Sequence, residues 1–280
     1  MTSQEAWKNK LDNPTLSVLP HDYLRPLEEP FTDSNDYTFQ IPQLDLPNKT
    51  FSDKYIIALS AWIPLIYRLS GDDDIVLYIS GNKVLRFIIQ PTWTFQALYN
   101  RIEDQIAKIN SLGDVCFDNL SESIKTEQEL DKCPQLFRLA LTHNQDIALD
   151  HFKHHLLDLS LNLHTDNSSH IFTINYNQLL YSEERIKVLA DQYIQTLTCM
   201  LSQPTEIITQ ATLMTKSSEN ALPDPTKNLG WCDFVGCIQD IFQDNADKFP
   251  ERRCVVETGS VSSSSQPRIF SYKDINQTSN

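Results

Sequence analysis

Apolar residues along positions 52–208 recur with two periods, and the order of these periods predicts alternating helices and strands. Stripes spaced by three and four residues predict helices at 54–69, 94–110 and 182–202. Ser52 or Asp53 can cap the first of these helices, and Ser182 can cap the last. Shorter apolar runs predict strands at 75–79, 83–90 and 136–141.

An alternation of apolar and polar residues marks two further strands. Leucine alternates with polar residues over 157–163, which predicts a strand with one buried face. Residues 171–176 alternate as well, after a turn at 166–169, so these two strands are expected to form a hairpin. The complete order is helix, strand, strand, helix, strand, hairpin and helix. It predicts one α/β domain over 52–208, with long helices covering a sheet.

The segments on either side of this domain have a different composition. Residues 1–51 hold six of the fourteen prolines, which predicts an extended arm with at most one strand, at 37–41. Its large apolar residues predict that the arm docks on the domain; they are Leu16, Val18, Leu19, Tyr23 and Leu24. Residues 209–230, rich in Thr, Ser, Asn and Pro, predict a linker. Residues 231–280 then start a second pattern, with a helix whose apolar face carries Ile238, Ile241 and Phe242.

Composition and charge exclude several classes of partner. The net charge of −14 and the isoelectric point near 4.8 argue against a nucleic-acid partner, because phosphate backbones need clustered Lys and Arg. The longest apolar stretch, 55–66, falls short of the roughly 20 apolar residues that cross a bilayer, so no membrane partner is expected. The start of the chain lacks a signal peptide, so we expect a cytoplasmic protein whose six cysteines are reduced thiols.

The one cluster that resembles a catalytic site contains His154, His155 and Asp158, since a histidine beside a carboxylate can act as a general base. It lies at the entry to an alternating strand, where successive side chains face opposite ways, so we expect no catalytic role. The carboxylates at 72–74 fit a solvated turn better than a metal site, and the cysteine pair 232 and 237 lacks a second pair at zinc-ligand spacing. Glycine-rich phosphate loops and a nucleophile elbow are absent from the sequence. We therefore assign no catalytic, cofactor-binding or metal-binding residue.

Several motifs within 52–208 resemble the C-terminal lobe of the condensation domains of nonribosomal peptide synthetases. They are Ala-Leu-Ser-Ala-Trp at 58–62, Arg-Leu-Ser-Gly-Asp-Asp-Asp-Ile-Val at 68–76, Trp-Thr-Phe-Gln-Ala-Leu at 93–98, Leu-Asp-Leu-Ser-Leu at 157–161 and Leu-Tyr-Ser-Glu-Glu-Arg-Ile at 180–186. The active motif of that family is two histidines, three residues and Asp-Gly. Here only two residues separate His155 from Asp158, and Leu159 stands in place of the glycine. The family's first lobe, which carries the catalytic histidines, has no counterpart. The resemblance implies the fold and leaves condensation activity unsupported.

Beyond the linker, three stretches resemble the opening of an adenylate-forming domain, which has a helix, a strand, and a strand leading into a helix through an aromatic residue and Ser-Tyr. They lie at 237–251, 254–256 and 270–276. A condensation-like lobe directly before such a domain, joined through 222–235 and preceded by 11–23, resembles the N-terminus of the fungal aminoadipate reductase family. This resemblance covers essentially the whole chain.

The resemblance implies a multidomain enzyme of lysine biosynthesis. Such an enzyme adenylates L-2-aminoadipate with ATP and Mg²⁺, loads it as a thioester on phosphopantetheine, and reduces it with NADPH to the semialdehyde. The family's cofactor-binding motifs belong downstream of Asn280, so we expect no cofactor in these 280 residues and no activity from them alone. The lobe is expected to dock on its own adenylation domain, and the parent enzyme would need a phosphopantetheinyl transferase.

Two other interpretations remain open. A freestanding module could use the lobe to bind a carrier protein or another partner, although the apolar face at 238–242 would then lack a sheet to cover it. A piece of a true peptide synthetase would need an intact first lobe upstream, where the sequence has only about fifty residues that are predicted to be extended.

Overall fold

The computed structural model describes residues 7, 10–11, 14–25, 34–45, 50–80, 83–112, 137–144, 157–165, 170–224, 226, 236–257 and 268–279. Contacts divide the chain into two units, Met1–Leu222 and Pro223–Asn280. The helices of the first unit are α1 (Pro42–Asp45), α2 (Lys54–Ser70), α3 (Phe95–Ser111), α4 (Glu183–Ser202) and α5 (Lys216–Ala221). Its strands are β1 (Ser34–Gln40), β2 (Asp74–Ile79), β3 (Lys83–Ile88), β4 (Leu139–His143), β5 (Leu159–Thr165) and β6 (His170–Asn177).

The six strands of the first unit form one mixed sheet in the order β1-β6-β5-β4-β2-β3. Strands β4 and β5, and also β2 and β4, pair in parallel, whereas the other neighbours are antiparallel. The predicted hairpin is confirmed as β5 and β6, with Leu161 opposite Ile174. The three long helices and five strands predicted over 52–208 are confirmed, with their ends shifted by a few residues.

The ends of the long helices follow the sequence signals. The Asp53 carboxylate caps α2 by accepting from the Tyr55 N–H at 2.8 Å, so Asp53 and not Ser52 is the cap. Thr94 and Ser182 cap α3 and α4 in the same way. Helix α2 ends at Gly71, whose φ of 83° is a left-handed conformation that glycine adopts without steric strain.

Helices α2 and α4 cover the sheet face that carries the leucines of β5, and aromatic rings fill the space between them. The Tyr193 ring meets the Trp62 ring edge-on at 5.8 Å and the Phe172 ring at 5.4 Å. All three side chains are fully buried. The Tyr193 hydroxyl donates to the Ala58 carbonyl at 3.2 Å, so the buried phenol is satisfied.

The N-terminal segment docks on this unit, as predicted, and Leu19 is one of the predicted residues that are buried. Trp7, Leu11 and Leu19 are buried, whereas Tyr23 is half exposed and Leu24 is 91% exposed. The prediction was therefore wrong for Tyr23 and Leu24. The backbone holds this stretch instead, because the N–H groups of Asp22 and Tyr23 both donate to the Leu180 carbonyl. Hydrophobicity alone does not reveal such backbone attachment.

The Asp22 side chain fastens the same stretch to the first turn of α4. Its carboxylate accepts from the Ser182 N–H at 3.0 Å, the Ser182 hydroxyl at 2.7 Å and the Arg185 Nε at 3.0 Å. Partial burial pushes the pKa of Asp22 up, but these hydrogen bonds and the Arg185 charge outweigh it and hold the pKa below its usual value. A carboxylate at a helix N-terminus is also favoured by the helix dipole.

Residues 203–215 follow α4 within the first unit and pack on its other elements. The Ile208 N–H donates to the Trp93 carbonyl at 3.0 Å, and Ile208 is buried. The Arg68 guanidinium donates to the Ala211 carbonyl, and the Gln195 amide donates to the Met214 carbonyl at 3.0 Å. The stretch assigned to a linker at 209–230 thus contains α5 and begins with docked residues. Its positions 225 and 227–230 lie outside the described residues.

The second unit contains α6 (Ile238–Lys248), β7 (Arg253–Glu257), β8 (Arg268–Ser271) and α7 (Tyr272–Ser279). Strands β7 and β8 pair antiparallel, and the Phe242 and Tyr272 rings lie 5.5 Å apart. The Ser271 N–H donates to the Asp274 carboxylate at 2.8 Å, and the Asp274 N–H donates to the Ser271 hydroxyl at 3.2 Å, so α7 begins with a capping box. Ile238 and Ile241, on the predicted apolar face, are exposed within the described part of this unit.

No helix among the described residues is long and apolar enough to span a bilayer.

Candidate functional site

Of the cluster of His154, His155 and Asp158, the structure describes Asp158, which lies where two parallel strands begin. Asp158 directly precedes β5, and Arg138 directly precedes β4. Because Leu139 pairs with Leu159, Asp158 and Arg138 lie side by side. The Asp158 N–H donates to the Arg138 carbonyl at 2.8 Å. His154 and His155 lie outside the described residues.

The Asp158 carboxylate is held by two arginines. Arg25 Nη2 donates to Oδ2 at 2.5 Å, and Arg138 Nη1 lies 3.9 Å from the same oxygen. The Asp158 side chain is 1% exposed, whereas those of Arg25 and Arg138 are 22% and 13% exposed. The Oδ1 atom has no hydrogen-bond partner among the described residues. Asp158 is thus a buried counter-ion that ties the N-terminal segment to the sheet.

Burial dominates the electrostatics of this cluster. It raises the pKa of Asp158, although the Arg25 hydrogen bond and the charges of Arg25 and Arg138 oppose the rise. Burial and then the charge of Asp158 raise the pKa of the nearby Tyr181 hydroxyl. The hydrogen bond of 2.5 Å from the Arg25 guanidinium to Oδ2 makes Asp158 the anionic partner of a buried ion pair.

Beyond Asp158, the same sheet face carries a row of amides and hydroxyls, which we call the polar row: Thr142, Ser160, Asn162 and Asn175. The Thr142 hydroxyl donates to the side-chain oxygen Oδ1 of Asn162, and the Asn162 side-chain amide donates to Asn175 Oδ1. The Ser160 hydroxyl donates to Asn175 Oδ1 at 3.4 Å. The row therefore links β4, β5 and β6 through side chains.

The polar row corrects one prediction. Alternation predicted that β5 has one buried face, but Ser160 is 0% and Asn162 3% exposed, so both faces are buried. The hydrogen bonds of the row compensate the cost of burying polar groups. Arg25 was also missed, because nothing local to the N-terminal segment indicates a partner 133 residues away.

The other candidates from the sequence have structural roles. Asp74, the last of the three carboxylates at 72–74, accepts from Arg86 Nε at 2.9 Å and from Arg86 Nη2 at 2.7 Å. Cys237 caps the start of α6, where its N–H donates to the Asp240 carboxylate at 2.8 Å, and Cys232 lies outside the described residues. Within the described ranges, no group of three or more His, Cys, Asp or Glu residues converges as a metal site would need.

No protein-family model matches the chain. Over 281 aligned residues it is 58% identical to the L-2-aminoadipate reductase of Saccharomyces cerevisiae, covering 100% of this chain and 20% of that protein. It is 50% identical to the L-2-aminoadipate reductase large subunit of Candida glabrata, covering 98% of this chain and 19% of that protein. The chain thus spans about a fifth of the length of these curated relatives.

Solved structures give the fold. A four-domain nonribosomal peptide synthetase, holo-AB3403, matches 98% of this chain and 24% of its own, with a TM-score of 0.66 and 14% identity. The condensation domain of the monacolin K polyketide synthase MokA matches 74% of this chain and 58% of its own, with a TM-score of 0.59 and 16% identity. Identities this low show the fold alone, and the predicted condensation-domain-like α/β fold is confirmed. By sequence, the chain is similar along its whole length to an N-terminal part of the fungal L-2-aminoadipate reductases, about a fifth of their length.

Proposed function

We propose that the chain is the N-terminal part of a multidomain reductase that converts L-2-aminoadipate to its semialdehyde in lysine biosynthesis. The observation that carries this proposal is the 58% identity to the yeast L-2-aminoadipate reductase along the whole chain. In the proposed enzyme, the residues that bind ATP with Mg²⁺, carry the phosphopantetheine arm and bind NADPH lie beyond Asn280. A phosphopantetheinyl transferase would attach the arm.

Within that enzyme, the first unit is proposed to be a scaffold that docks on the adenylation domain. Its own architecture supports this role. Arg25 and Arg138 engage the buried Asp158, and the polar row uses its amides and hydroxyls to bond its strands to one another. These groups bond to one another and so stabilise the unit.

The second unit is proposed to be the opening of that adenylation domain. Its described residues expose several apolar side chains, namely Ile238, Ile241, Phe249, Val255 and Ile269. Apolar surface of this kind normally lies against another part of a protein. The rest of the adenylation domain is the expected cover.

Exchange of radioactive pyrophosphate into ATP, driven by L-2-aminoadipate, tests the proposal. The purified 280-residue chain should show only background exchange, whereas the full-length protein from the same gene should exchange. Exchange above background from the 280-residue chain would overturn the claim that catalysis lies elsewhere. If folded, phosphopantetheinylated full-length protein showed no aminoadipate-dependent exchange, the proposed activity would be overturned.

The scaffold role has a separate test. A variant of the full-length protein from which residues 1–222 are deleted should keep aminoadipate-driven exchange at permissive temperature. It should lose this exchange at a lower temperature than the intact protein. Equal thermal inactivation of the two proteins would contradict docking of the first unit on the adenylation domain.

A further inference from the structure

The first unit contains a cleft outside the Asp158 cluster and the polar row. It has a volume of about 620 Å³ and lies between the edge strand β3, the helix α3 and the N-terminal segment. Small-molecule sites typically occupy about 300–1,000 Å³. The cleft is therefore large enough for a compact organic ligand.

Cations dominate the walls of this cleft although the whole chain carries a net charge of −14. Arg101 and Lys108 lie on one face of α3, and Lys10 faces them from the N-terminal segment, where its Nζ lies 3.5 Å from Gln105 Oε1. Arg86 also lines the cleft, but its charge is balanced by Asp74. Among the described residues, no carboxylate lies within 4.0 Å of the charged nitrogens of Lys10, Arg101 or Lys108, and Asp104 is the one acidic lining residue.

Placing these cations together has an energetic cost that an anion would relieve. Burial lowers the pKa of Lys10, and the positive charge of Lys108 lowers it further. The two ammonium groups therefore repel each other across the cleft. A bound anion would reverse the sign of that interaction, since opposite charges within a few ångströms favour the charged forms.

Apolar surface lies beside the cations. The Arg101 guanidinium stacks on the Trp93 ring, with its carbon 4.2 Å from the ring centroid. The Phe87 ring meets the Trp93 ring edge-on at 6.1 Å, and Ile88 is 62% exposed at the same rim. A guanidinium stacked on an aromatic ring keeps its N–H donors in the ring-parallel plane, where they can bind an anion.

We propose that this cleft binds a small organic phosphate, whose phosphoryl group pairs with Lys10, Arg101 and Lys108 while its apolar body lies against Trp93 and Ile88. The combination of cations and apolar surface favours this ligand class over inorganic phosphate, which has no apolar body, and over an uncharged aromatic compound, which leaves the cations unpaired. The site is independent of the proposed reductase activity.

Isothermal titration of the 280-residue chain with three probes tests the site. The probe 1-naphthyl phosphate carries both parts of the ligand, inorganic phosphate carries only the anion, and 1-naphthol carries only the apolar body. We expect 1-naphthyl phosphate to bind with a Kd of about 0.1–1 mM at low salt, and each of the other two to bind at least about tenfold more weakly. Added salt should weaken binding of the two phosphates and leave 1-naphthol unaffected.

Variants locate the binding. Arg101→Gln and Lys108→Gln should each weaken 1-naphthyl phosphate binding by about five- to tenfold. Lys83→Gln is the matched control, because Lys83 lies on the same edge strand but donates to Asn110 Oδ1 at 2.9 Å and does not line the cleft. It should leave the Kd unchanged. Equal binding of 1-naphthyl phosphate and 1-naphthol, no binding at about 5 mM, or a Kd unaltered by both cleft variants would overturn the proposal.

Discussion

Removing the Arg25 guanidinium should destabilise the first unit by about 2–3 kcal/mol. In Arg25→Met the Asp158 carboxylate, 1% exposed, loses its hydrogen-bonded cation and keeps Arg138 at 3.9 Å. Removing one partner of a buried ion pair costs about 3–5 kcal/mol, and Arg138 offsets part of that loss. In a unit of about 200 residues each kcal/mol shifts Tm by about 2–4 °C, so we expect a decrease of about 4–12 °C.

Substituting Asp158, the other partner of the ion pair, should lower the free energy of unfolding by less. In Asp158→Asn the amide still offers an acceptor, and the Arg25 side chain, 22% exposed, can turn its charge towards water. We expect a loss of about 1 kcal/mol. The double variant should lose less stability than the two single losses combined, by about 1 kcal/mol or more, because the residues contact each other.

The cost of Arg25→Met should also depend on pH. Burial raises the pKa of Asp158, and removing Arg25 removes the main opposing interaction. A folded state that holds the proton more tightly than the unfolded state loses stability as pH rises between the two pKa values. Arg25→Met should therefore be less destabilising at about pH 5 than at about pH 7.

Urea unfolding followed by tryptophan fluorescence measures these quantities. Three of the four tryptophans, Trp7, Trp62 and Trp93, belong to the first unit, so the signal mainly reports its unfolding. An equal loss for Arg25→Met at both pH values, or single losses that simply add in the double variant, would refute the reasoning.

Three further predictions concern the attachment of the N-terminal segment, a helix end and the core. Asp22→Asn should lower the free energy of unfolding, measured with urea, near neutral pH. The difference from wild type should vanish below about pH 4, as pH falls through the lowered pKa of Asp22 and the wild-type side chain also loses its charge. A difference that persists at low pH would contradict the role of the charge. Gly71→Ala should lower stability by about 1 kcal/mol, because φ is 83° there and no neighbouring atom would contact the added methyl group; an unchanged Tm would argue against a left-handed Gly71. Tyr193→Phe should cost about 1 kcal/mol through the lost bond to the Ala58 carbonyl, measured by thermal unfolding, and a loss above about 3 kcal/mol would indicate a larger role for the hydroxyl.

The sequence predicted individual elements of the fold better than their partners. Periodicity located α2, α3, α4 and the β5–β6 hairpin, because each apolar stripe reports the face that its own element buries. It did not predict that β1 pairs with β6, or that β4 lies between β2 and β5. Those pairings join distant parts of the chain, and no local pattern encodes them.

The buried polar groups show the same limit. Alternation in β5 indicated a solvent-facing side for Ser160 and Asn162, because sequence patterns treat polar residues as exposed. Their burial depends on partners in β4 and β6, which only the assembled sheet supplies. Asp158 likewise looked like a member of a histidine cluster, and its observed partner Arg25 belongs to a segment 133 residues earlier.

The mass of the native protein in a cell extract tests the central claim most directly. An antibody raised against residues 236–257 would detect it after denaturing electrophoresis. If the chain is the N-terminal part of a reductase like its curated relatives, of which it covers 20%, the band should run at roughly five times 32.2 kDa. A single band at 32.2 kDa would contradict the account and indicate a freestanding protein.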